Sequence, residues 1–159
     1  MKILKRLHYF FIILFCSGCV LDMPEELIIA GKPLLKSLEW IDKNALPGRN
    51  YIIELTKDEI IKDTIFLDGQ SYWEDLVCYA ESKEYENGIV KKKSITITIK
   101  GDSTNRTIRF DSQGPLFVIH RRIKLVLDNN ITIKGNQINN KALILIQGGT
   151  FIMNPGSNV

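Results

Sequence analysis

The side chains that could perform acid–base or nucleophilic chemistry in this chain are few and stand apart from one another. Hydrolysis of a glycosidic bond needs two carboxylates that face one cleft, but Asp111 and Asp128 each stand alone at turn positions. An aspartate at such a position usually accepts backbone hydrogen bonds. His120 has no serine or cysteine nucleophile motif near it, so we interpret it as a turn or surface residue. The sequence therefore predicts no catalytic residues.

The mature part of the chain also lacks the patterns that bind phosphate or metal ions. Gly148-Gly149 is not a phosphate loop, because no Lys-Ser/Thr pair follows it, and no acidic cluster suggests calcium. Glycine tolerates a positive φ, so this pair is better explained as a corner between strands. Asn129-Asn130 and Asn139-Asn140 are interpreted as turn or stacking residues. We predict no metal site and no cofactor.

The N-terminal residues have the order of features that is typical of an export signal. Residues 1–6 carry three basic side chains, residues 9–15 are entirely apolar, and the small Ser17 and Gly18 precede Cys19. The apolar stretch is about 15 residues long, whereas a membrane-spanning helix needs about 20. The pattern therefore predicts a secretory signal over residues 1–18.

The end of this signal, Phe15-Cys16-Ser17-Gly18-Cys19, resembles the lipobox of bacterial lipoproteins. The resemblance implies cleavage between Gly18 and Cys19 and attachment of lipid, including palmitate, to Cys19. Two or more acyl chains hold a protein stably on a membrane. Cys16 departs from the pattern, since the family usually has leucine there. A plain secretory signal and an uncleaved anchor are the alternatives.

Removal of the signal changes the charge and the cysteine content. The full chain has 21 Lys and Arg against 18 Asp and Glu, and three of the basic residues lie in the signal, so the mature chain has 18 of each sign. A neutral chain gives no indication of nucleic-acid binding, which would need a basic face. Cys78, within the apolar run LVCYA, becomes the single thiol that is neither lost nor lipidated. We interpret it as a small buried hydrophobe.

The mature chain is long enough for one domain. We expect a tether over residues 19–32 and a domain over residues 33–159. Helical spacing of apolar residues between Pro33 and Pro47 predicts a helix over about 34–45, with Trp40 packed under it. Residues 51–55 and 63–69 are typical of short strands, and residues 72–93 of a solvated, charged loop.

From Ser94 onward the pattern is that of short strands separated by Gly, Asn or Asp turns. A stretch that starts at Leu116 aligns approximately with one that starts at Leu143, 27 residues later. In this alignment His120-Arg121-Arg122 corresponds to Gln147-Gly148-Gly149, and Lys124-Leu125 to Phe151-Ile152. A period between 20 and 50 residues is typical of stacked repeats, in which each unit buries its face against its neighbours.

The segments IKLVLDNNITIKGN and ALILIQGGTFIMNPGS resemble the rungs of right-handed parallel β-helix proteins of the pectin-lyase-like superfamily, and SLEWIDKNALPGRNYIIEL resembles the lead that caps them. The resemblance implies a mainly β fold, with a short N-terminal capping helix followed by a partial, truncated right-handed parallel β-helix. A small antiparallel sandwich is the alternative. Arg122-Ile123-Lys124 matches a tripeptide of pectin-cleaving hydrolases, but their paired Asp motifs and Gly-His-Gly are missing, so we interpret it as coincidental.

The expected function follows from the anchor and the architecture. We expect a lipid-anchored, non-catalytic protein at the bacterial outer membrane or cell surface, with a structural or adhesive role. Its expected partners are the membrane, through the lipid on Cys19, and a host or matrix protein or glycan, and not nucleic acid. The alternatives are an N-terminal fragment of a polysaccharide-acting β-helix enzyme whose catalytic rungs are missing, and a degraded gene product that does not fold stably. The sequon Asn105-Arg106-Thr107 is interpreted as incidental.

Overall fold

A computed structural model of the chain describes residues 26–68 and 94–159, together with the backbone of two strands at 83–86 and 89–92. The described part is mainly β, with parallel sheets and one short helix. The helix is Leu34–Asn44 (α1), and the strands are Glu26–Ala30 (β1), Asn50–Leu55 (β2), Glu59–Ile61 (β3), Ile65–Leu67 (β4), Lys83–Glu86 (β5), Ile89–Lys92 (β6), Ile95–Gly101 (β7), Arg106–Phe110 (β8), Phe117–His120 (β9), Ile123–Leu127 (β10), Ile131–Lys134 (β11), Ile144–Gln147 (β12), Thr150–Met153 (β13) and Ser157–Asn158 (β14).

Twelve of these strands form three sheets, and β5 and β6 form a separate two-stranded sheet. Sheet A has the order β1-β2-β7-β10-β13, sheet B the order β14-β11-β8-β3, and sheet C the order β12-β9-β4. The chain therefore visits A, B and C in turn with β2, β3 and β4, again with β7, β8 and β9, and a third time with β10, β11 and β12. Every strand pair within these three sheets is parallel. This pairing is incompatible with the antiparallel sandwich that the sequence left open.

The core consists of aliphatic and aromatic side chains stacked from one strand to the next. Alternate residues of β2 are buried, and each lies opposite a buried residue of β7, as Ile53 lies opposite Ile99. In a strand, successive side chains point to opposite faces, so one face of each sheet supplies the core. The fully buried side chains come from sheets A, B and C and from α1; the largest are Phe110, Phe117, Leu34, Ile41, Ile53, Leu55, Ile61, Ile95, Ile97, Ile99, Ile108 and Leu116.

The strand register refines the repeat. His120 lies opposite Gln147 in sheet C, as the sequence alignment expects. In sheet A, however, Leu125 lies opposite Phe151 and Lys124 opposite Thr150, one residue away from the alignment. Two residues, Gly148 and Gly149, connect β12 to β13, and Gly148 forms an isolated bridge with His120 at the end of β9. The interpretation of the Gly-Gly pair as a corner is confirmed, since Gly148 has φ +92°.

Helix α1 packs on the first pass of strands, and its bounds agree with the expected helix to within one residue at its end. Leu34, Leu38 and Ile41 are buried in the common core. Pro33, the residue before the helix, provides no capping hydrogen bond from its side chain. The cap comes from β3 instead: the backbone N–H of Leu34 donates to both carboxylate oxygens of Glu59, at 2.9 and 3.0 Å. A carboxylate at this end is favourable, because the helix dipole is positive there.

Strands β1, β3, β5 and β6 differ from the sequence expectations. Residues Glu26–Ala30, within the segment expected to be a tether, form β1 and pair with β2. Residues Lys83–Glu86 and Ile89–Lys92, within the expected loop, form an antiparallel pair. The Asn87-Gly88 dipeptide between these two strands is a strong hairpin signal that the charge of the segment obscured.

Candidate functional site

The residues expected to carry the lipid lie outside the described residues. Gly18 and Cys19 precede Glu26, where the described chain begins, and Cys78 falls in the gap after Asp68. The expectations for these three residues therefore remain predictions. Among the described residues, no helix has the length and apolarity to cross a membrane.

The two isolated aspartates lie at different corners of the sheets. Asp128 follows β10, between sheets A and B, and its carboxylate accepts a hydrogen bond from Asn154 Nδ2 at 3.1 Å. Asp111 follows β8, between sheets B and C, and its carboxylate is 3.9 Å from Arg109 Nη2. Both therefore occupy turns, as the sequence indicates. The fold does not bring them to one cleft as an acid–base pair.

The carboxylate of Asp102 lies at the corner that follows β7. It accepts hydrogen bonds from Arg106 Nε and Nη2, at 2.9 and 2.6 Å, and from the backbone N–H and hydroxyl of Thr104. The Arg106 hydrogen bonds, followed by that from the Thr104 backbone, hold the pKa of Asp102 well below its usual range. A carboxylate in this state is a turn anchor and is poorly suited to proton transfer near neutral pH.

The corner between sheets C and A holds the histidine and the tripeptide that the sequence singled out. His120 ends β9, and its ring stacks on Phe66 with centroids 6.5 Å apart. Arg122 occupies the turn with φ +71°, and Lys124 lies in β10 on the outer side of sheet A. Turn geometry thus accounts for Arg122.

Asparagine side chains tie successive passes together at the corners. Asn130, in the left-handed region with φ +58°, donates through Nδ2 to the carbonyl oxygen of Asp102. Asn139 accepts from the Gly114 N–H and donates to the Gly114 carbonyl, at 3.0 and 2.9 Å. Asn105, the sequon asparagine, is hydrogen-bonded to Thr132. These contacts confirm the interpretation of Asn130 and Asn139 as turn or stacking residues.

A groove of about 490 Å³ runs along the exposed side of α1, and it is open to solvent. Three of its charged side chains are paired with one another: Glu39 binds Lys36 at 2.8 Å and Lys43 at 3.0 Å. These contacts lower the pKa of Glu39 to about 2, and the hydrogen bond from Lys36 has the largest effect. Its lining residues are Lys32, Pro33, Lys36, Glu39, Trp40 and Lys43.

The most extended feature is the outer face of sheet A, which we call face A. The strand register places one residue of each of its five strands in a single row across this face. The row consists of four aliphatic residues and one threonine, and its members are Ile28, Ile52, Thr98, Val126 and Ile152. Ile28 is 59% exposed, whereas Thr98 and Val126 in the middle are 8% exposed.

Polar rows flank the apolar row of face A. On one side Asn50 donates to Glu26 Oε1 at 3.1 Å and accepts from the Thr98 hydroxyl at 3.0 Å. On the other side Glu54 and Lys100 form an ion pair at 3.1 Å. Face A is therefore a ridge of apolar side chains between two ordered polar borders. This arrangement suits contact with a partner better than chemistry on a substrate, because it presents no reactive group.

The sequence contains a pattern that is related to face A, but the pattern of single strands was not enough to reveal the row. In a half-exposed strand, apolar and polar residues alternate. The stretches YIIEL, IKLVL and TFIM instead carry an apolar residue on both faces. Only the register shows that the additional apolar residues share one row.

Comparisons of this chain with protein-family models, with curated proteins and with solved structures find no match. Among the described residues, no group of three or more His, Cys, Asp or Glu side chains is placed to hold a metal ion.

Proposed function

We propose that this chain is a lipid-anchored, non-catalytic protein of the bacterial outer membrane or cell surface, with a structural or adhesive role. Face A is the observation that carries the proposal, because it offers an extended contact surface without reactive groups. The anchor is supported by the order of basic, apolar and small residues before Cys19.

We also propose a finer description of the fold, as the N-terminal part of a right-handed parallel β-helix of the pectin-lyase-like type. Three features support it: the repeated A–B–C order of the sheets, the in-register parallel pairing, and a helix at one end. In such a stack each pass buries its apolar face against its neighbours. Fold does not fix function, so the adhesive role is argued from face A itself.

Lipidation is tested by two matched substitutions in the signal. Cells that express the full chain are fed an alkyne analogue of palmitate, and the labelled protein is detected after fractionation. Cys16→Ala should keep both the label and the membrane location, whereas Cys19→Ala should lose both. Label that persists in Cys19→Ala, or its absence from the wild type, would contradict the anchor.

Adhesion is tested by placing a charge on face A. Ile52→Lys is compared with Ile60→Lys, which adds the same charge on the outer side of β3 in sheet B. Binding of the intact protein to a panel of matrix proteins and immobilised glycans should fall about tenfold or more for Ile52→Lys, because a lysine replaces a buried apolar contact. Equal effects of the two variants would show that face A is not the contact surface.

The enzyme alternative requires a separate assay. The protein is incubated with a panel of acidic and neutral polysaccharides, and new reducing ends are measured. We expect none above the buffer control. Cleavage of any polysaccharide that depends on the protein would overturn the non-catalytic proposal.

A further inference from the structure

The groove on the exposed side of α1, which we call the α1 groove, combines an aromatic ring with an excess of positive charge. Its volume is about 490 Å³, and sites for small ligands typically measure about 300–1,000 Å³. Such sites combine an apolar or aromatic lining with a few polar groups that orient the ligand. The residues that line the α1 groove are Lys32, Pro33, Lys36, Glu39, Trp40 and Lys43.

The aromatic ring of the α1 groove is held in place from the side of the core. Trp40 is half-buried, and its ring meets that of Tyr51 edge-on, with the centroids 6.4 Å apart. Tyr51 is itself buried, and its hydroxyl oxygen accepts a hydrogen bond from the backbone N–H of Leu46 at 2.7 Å. A ring that is already fixed loses little conformational freedom when a ligand binds. Trp40 therefore gives the groove a rigid apolar surface.

One carboxylate holds two of the three ammonium groups of the groove. Glu39 lies 2.8 Å from Lys36 Nζ and 3.0 Å from Lys43 Nζ. Each ammonium group has three donors, and its bond to Glu39 uses one of them. The third ammonium group belongs to Lys32, which has no ion-pair partner among the described residues. Three lysines against one glutamate leave the groove with a net positive charge.

This lining suits a ligand that has an apolar side and carries negative charge. A sugar ring has such a side, since its C–H groups form an apolar patch, and an aromatic ring provides a large apolar surface for that patch. A carboxylate or sulfate on the sugar complements the charge of the lysines, which a neutral sugar does not. A flat membrane surface does not fill a concave groove. No strand residue lines the groove, so an extended peptide finds no strand edge there to pair with.

We propose that the α1 groove binds an acidic carbohydrate, with a sugar ring against Trp40 and its carboxylate or sulfate beside Lys32. Lys36 and Lys43 donate their remaining hydrogen bonds to the sugar oxygens. The groove binds the carbohydrate without cleaving it, because Glu39 is the one carboxylate among its lining residues and glycoside hydrolysis needs two. The proposal goes beyond the adhesive role of face A, since no residue of sheet A lines the groove.

The test is a calorimetric titration of the intact protein in mild detergent. The ligand is a tetrasaccharide of alternating glucuronic acid and N-acetylglucosamine, and the matched ligand is its carboxyl-reduced form, which is neutral. The acidic tetrasaccharide should bind at least about tenfold more tightly than the neutral form. Its Kd should rise with the salt concentration, because salt screens the attraction between exposed charges.

Two matched substitutions locate the site. Lys32→Glu should raise the Kd for the acidic tetrasaccharide about tenfold or more, because it replaces an attraction in the groove by a repulsion. Lys134→Glu makes the same change of charge on the outer side of β11, and it should leave the Kd unchanged. Both lysines are exposed, so neither substitution removes a buried contact. Circular dichroism establishes that both variants are folded.

The fluorescence of Trp40 gives a readout that a general effect of charge would not change. Trp73 lies outside the described residues, and Trp73→Phe leaves Trp40 as the single tryptophan of the chain. In this variant, saturation with the acidic tetrasaccharide should change the emission of Trp40. Trp40→Leu keeps an apolar side chain but removes the flat ring, and it should raise the Kd about tenfold.

The other possible occupants are titrated in the same way: a peptide with two glutamates, and phosphatidylglycerol added to the detergent micelles. Any of five results would overturn the proposal: no binding of the acidic tetrasaccharide, equal binding of its neutral form, equal losses in Lys32→Glu and Lys134→Glu, an emission of Trp40 that does not respond, or tighter Lys32-dependent binding of the peptide or the phospholipid. Such a result would leave the test of face A with Ile52→Lys unaffected, so the two proposals fail separately.

Discussion

The two ends of the described sheet stack differ in how far the core is covered. At the first end, α1 buries Leu34, Leu38 and Ile41 against the core, and Glu59 fixes the start of the helix. At the other end, core positions such as Met153 are exposed, and the strand edges have no cover among the described residues. Each pass of a stacked fold leaves an apolar face that a neighbour must bury.

The charge distribution follows the same division. The helical end carries ion pairs on its surface, among them Glu39 with Lys36 and Lys43. The strands at the other end come from residues 142–159, which include no Asp, Glu, Lys or Arg, although the Arg121 side chain lies against Gly148. Charged side chains hinder edge-to-edge pairing of strands. The comparison shows that the two ends of the described stack differ in composition as well as in cover.

We expect the largest difference in the free energy of unfolding between two residues that lie opposite each other on neighbouring strands, one in the interior and one at the end of the stack. Leu127→Ala should lower the free energy of unfolding by about 2–5 kcal/mol, because it leaves a cavity in a closed core. Met153→Ala, at the partner position one pass later, should cost less than about 1 kcal/mol, because half of its side chain is already in water.

The two free energies are measured by urea unfolding at the same protein concentration. Equal costs for both variants would remove the distinction between the interior and the end of the described stack.

The cap at the helical end provides the next prediction. Glu59→Gln should destabilise the protein by about 1 kcal/mol, because the amide loses the charge that favours the helix N-terminus. Glu39→Gln, an exposed substitution of the same type on the helix surface, is the control and should have a smaller effect. Thermal unfolding followed by circular dichroism compares the two, and equal shifts of Tm would argue against a capping role for Glu59.

A corner in the middle of the stack gives a pH-dependent prediction. The depressed pKa of Asp102 means that its ionised form stabilises the folded state above the ordinary aspartate pKa of about 4. This stabilisation is lost as the pH falls from about 4 through the lower folded value. Asp102→Asn should therefore be less stable than the wild type at pH 7 and approach it under acid conditions.

The measurement is the urea midpoint of both proteins between pH 7 and pH 2.5. Asp111→Asn is the control, because its carboxylate is exposed and lies 3.9 Å from Arg109. A gap between wild type and Asp102→Asn that stays constant with pH would mean that the substitution acts through turn geometry and not through charge.

The sequence predicted the elements whose pattern is local and missed those that depend on register. The helix and the strand-rich half were predictable, because the spacing of apolar residues and the turn residues indicate them. β1 was missed because its short apolar run pairs with β2, which begins some twenty residues later. The alignment of Lys124 with Phe151 was one residue off, because the length of the Gly148-Gly149 corner is decided in three dimensions.

The candidate site divides in the same way. The turn roles of Asp128, Asn130 and Asn139 could be anticipated, since these residue types form hydrogen bonds to nearby backbone or turn groups wherever they occur. Face A could not, because its row joins residues from five strands that are far apart in the sequence. The absence of Asp, Glu, Lys and Arg from residues 142–159 is visible in the sequence, but the place of β12, β13 and β14 at one end of the sheets required the order of the strands.

The smallest expected effect tests whether water reaches the contact between α1 and the strands. Ser37 is fully buried on α1, and its hydroxyl oxygen has no hydrogen-bond partner among the described residues. Replacing a buried, unpaired hydroxyl by a methyl group removes a desolvation cost, and alanine has the higher helix propensity. Ser37→Ala should therefore be neutral or raise the free energy of unfolding by up to about 1 kcal/mol, measured by urea unfolding.

Leu38→Ala, one residue along the same buried face, should instead cost about 2–5 kcal/mol. Opposite signs for these neighbouring substitutions would follow from a water-free contact between α1 and the first pass of strands. A loss of stability in Ser37→Ala would mean that the hydroxyl is hydrogen-bonded in solution, and that water reaches the contact between α1 and the strands.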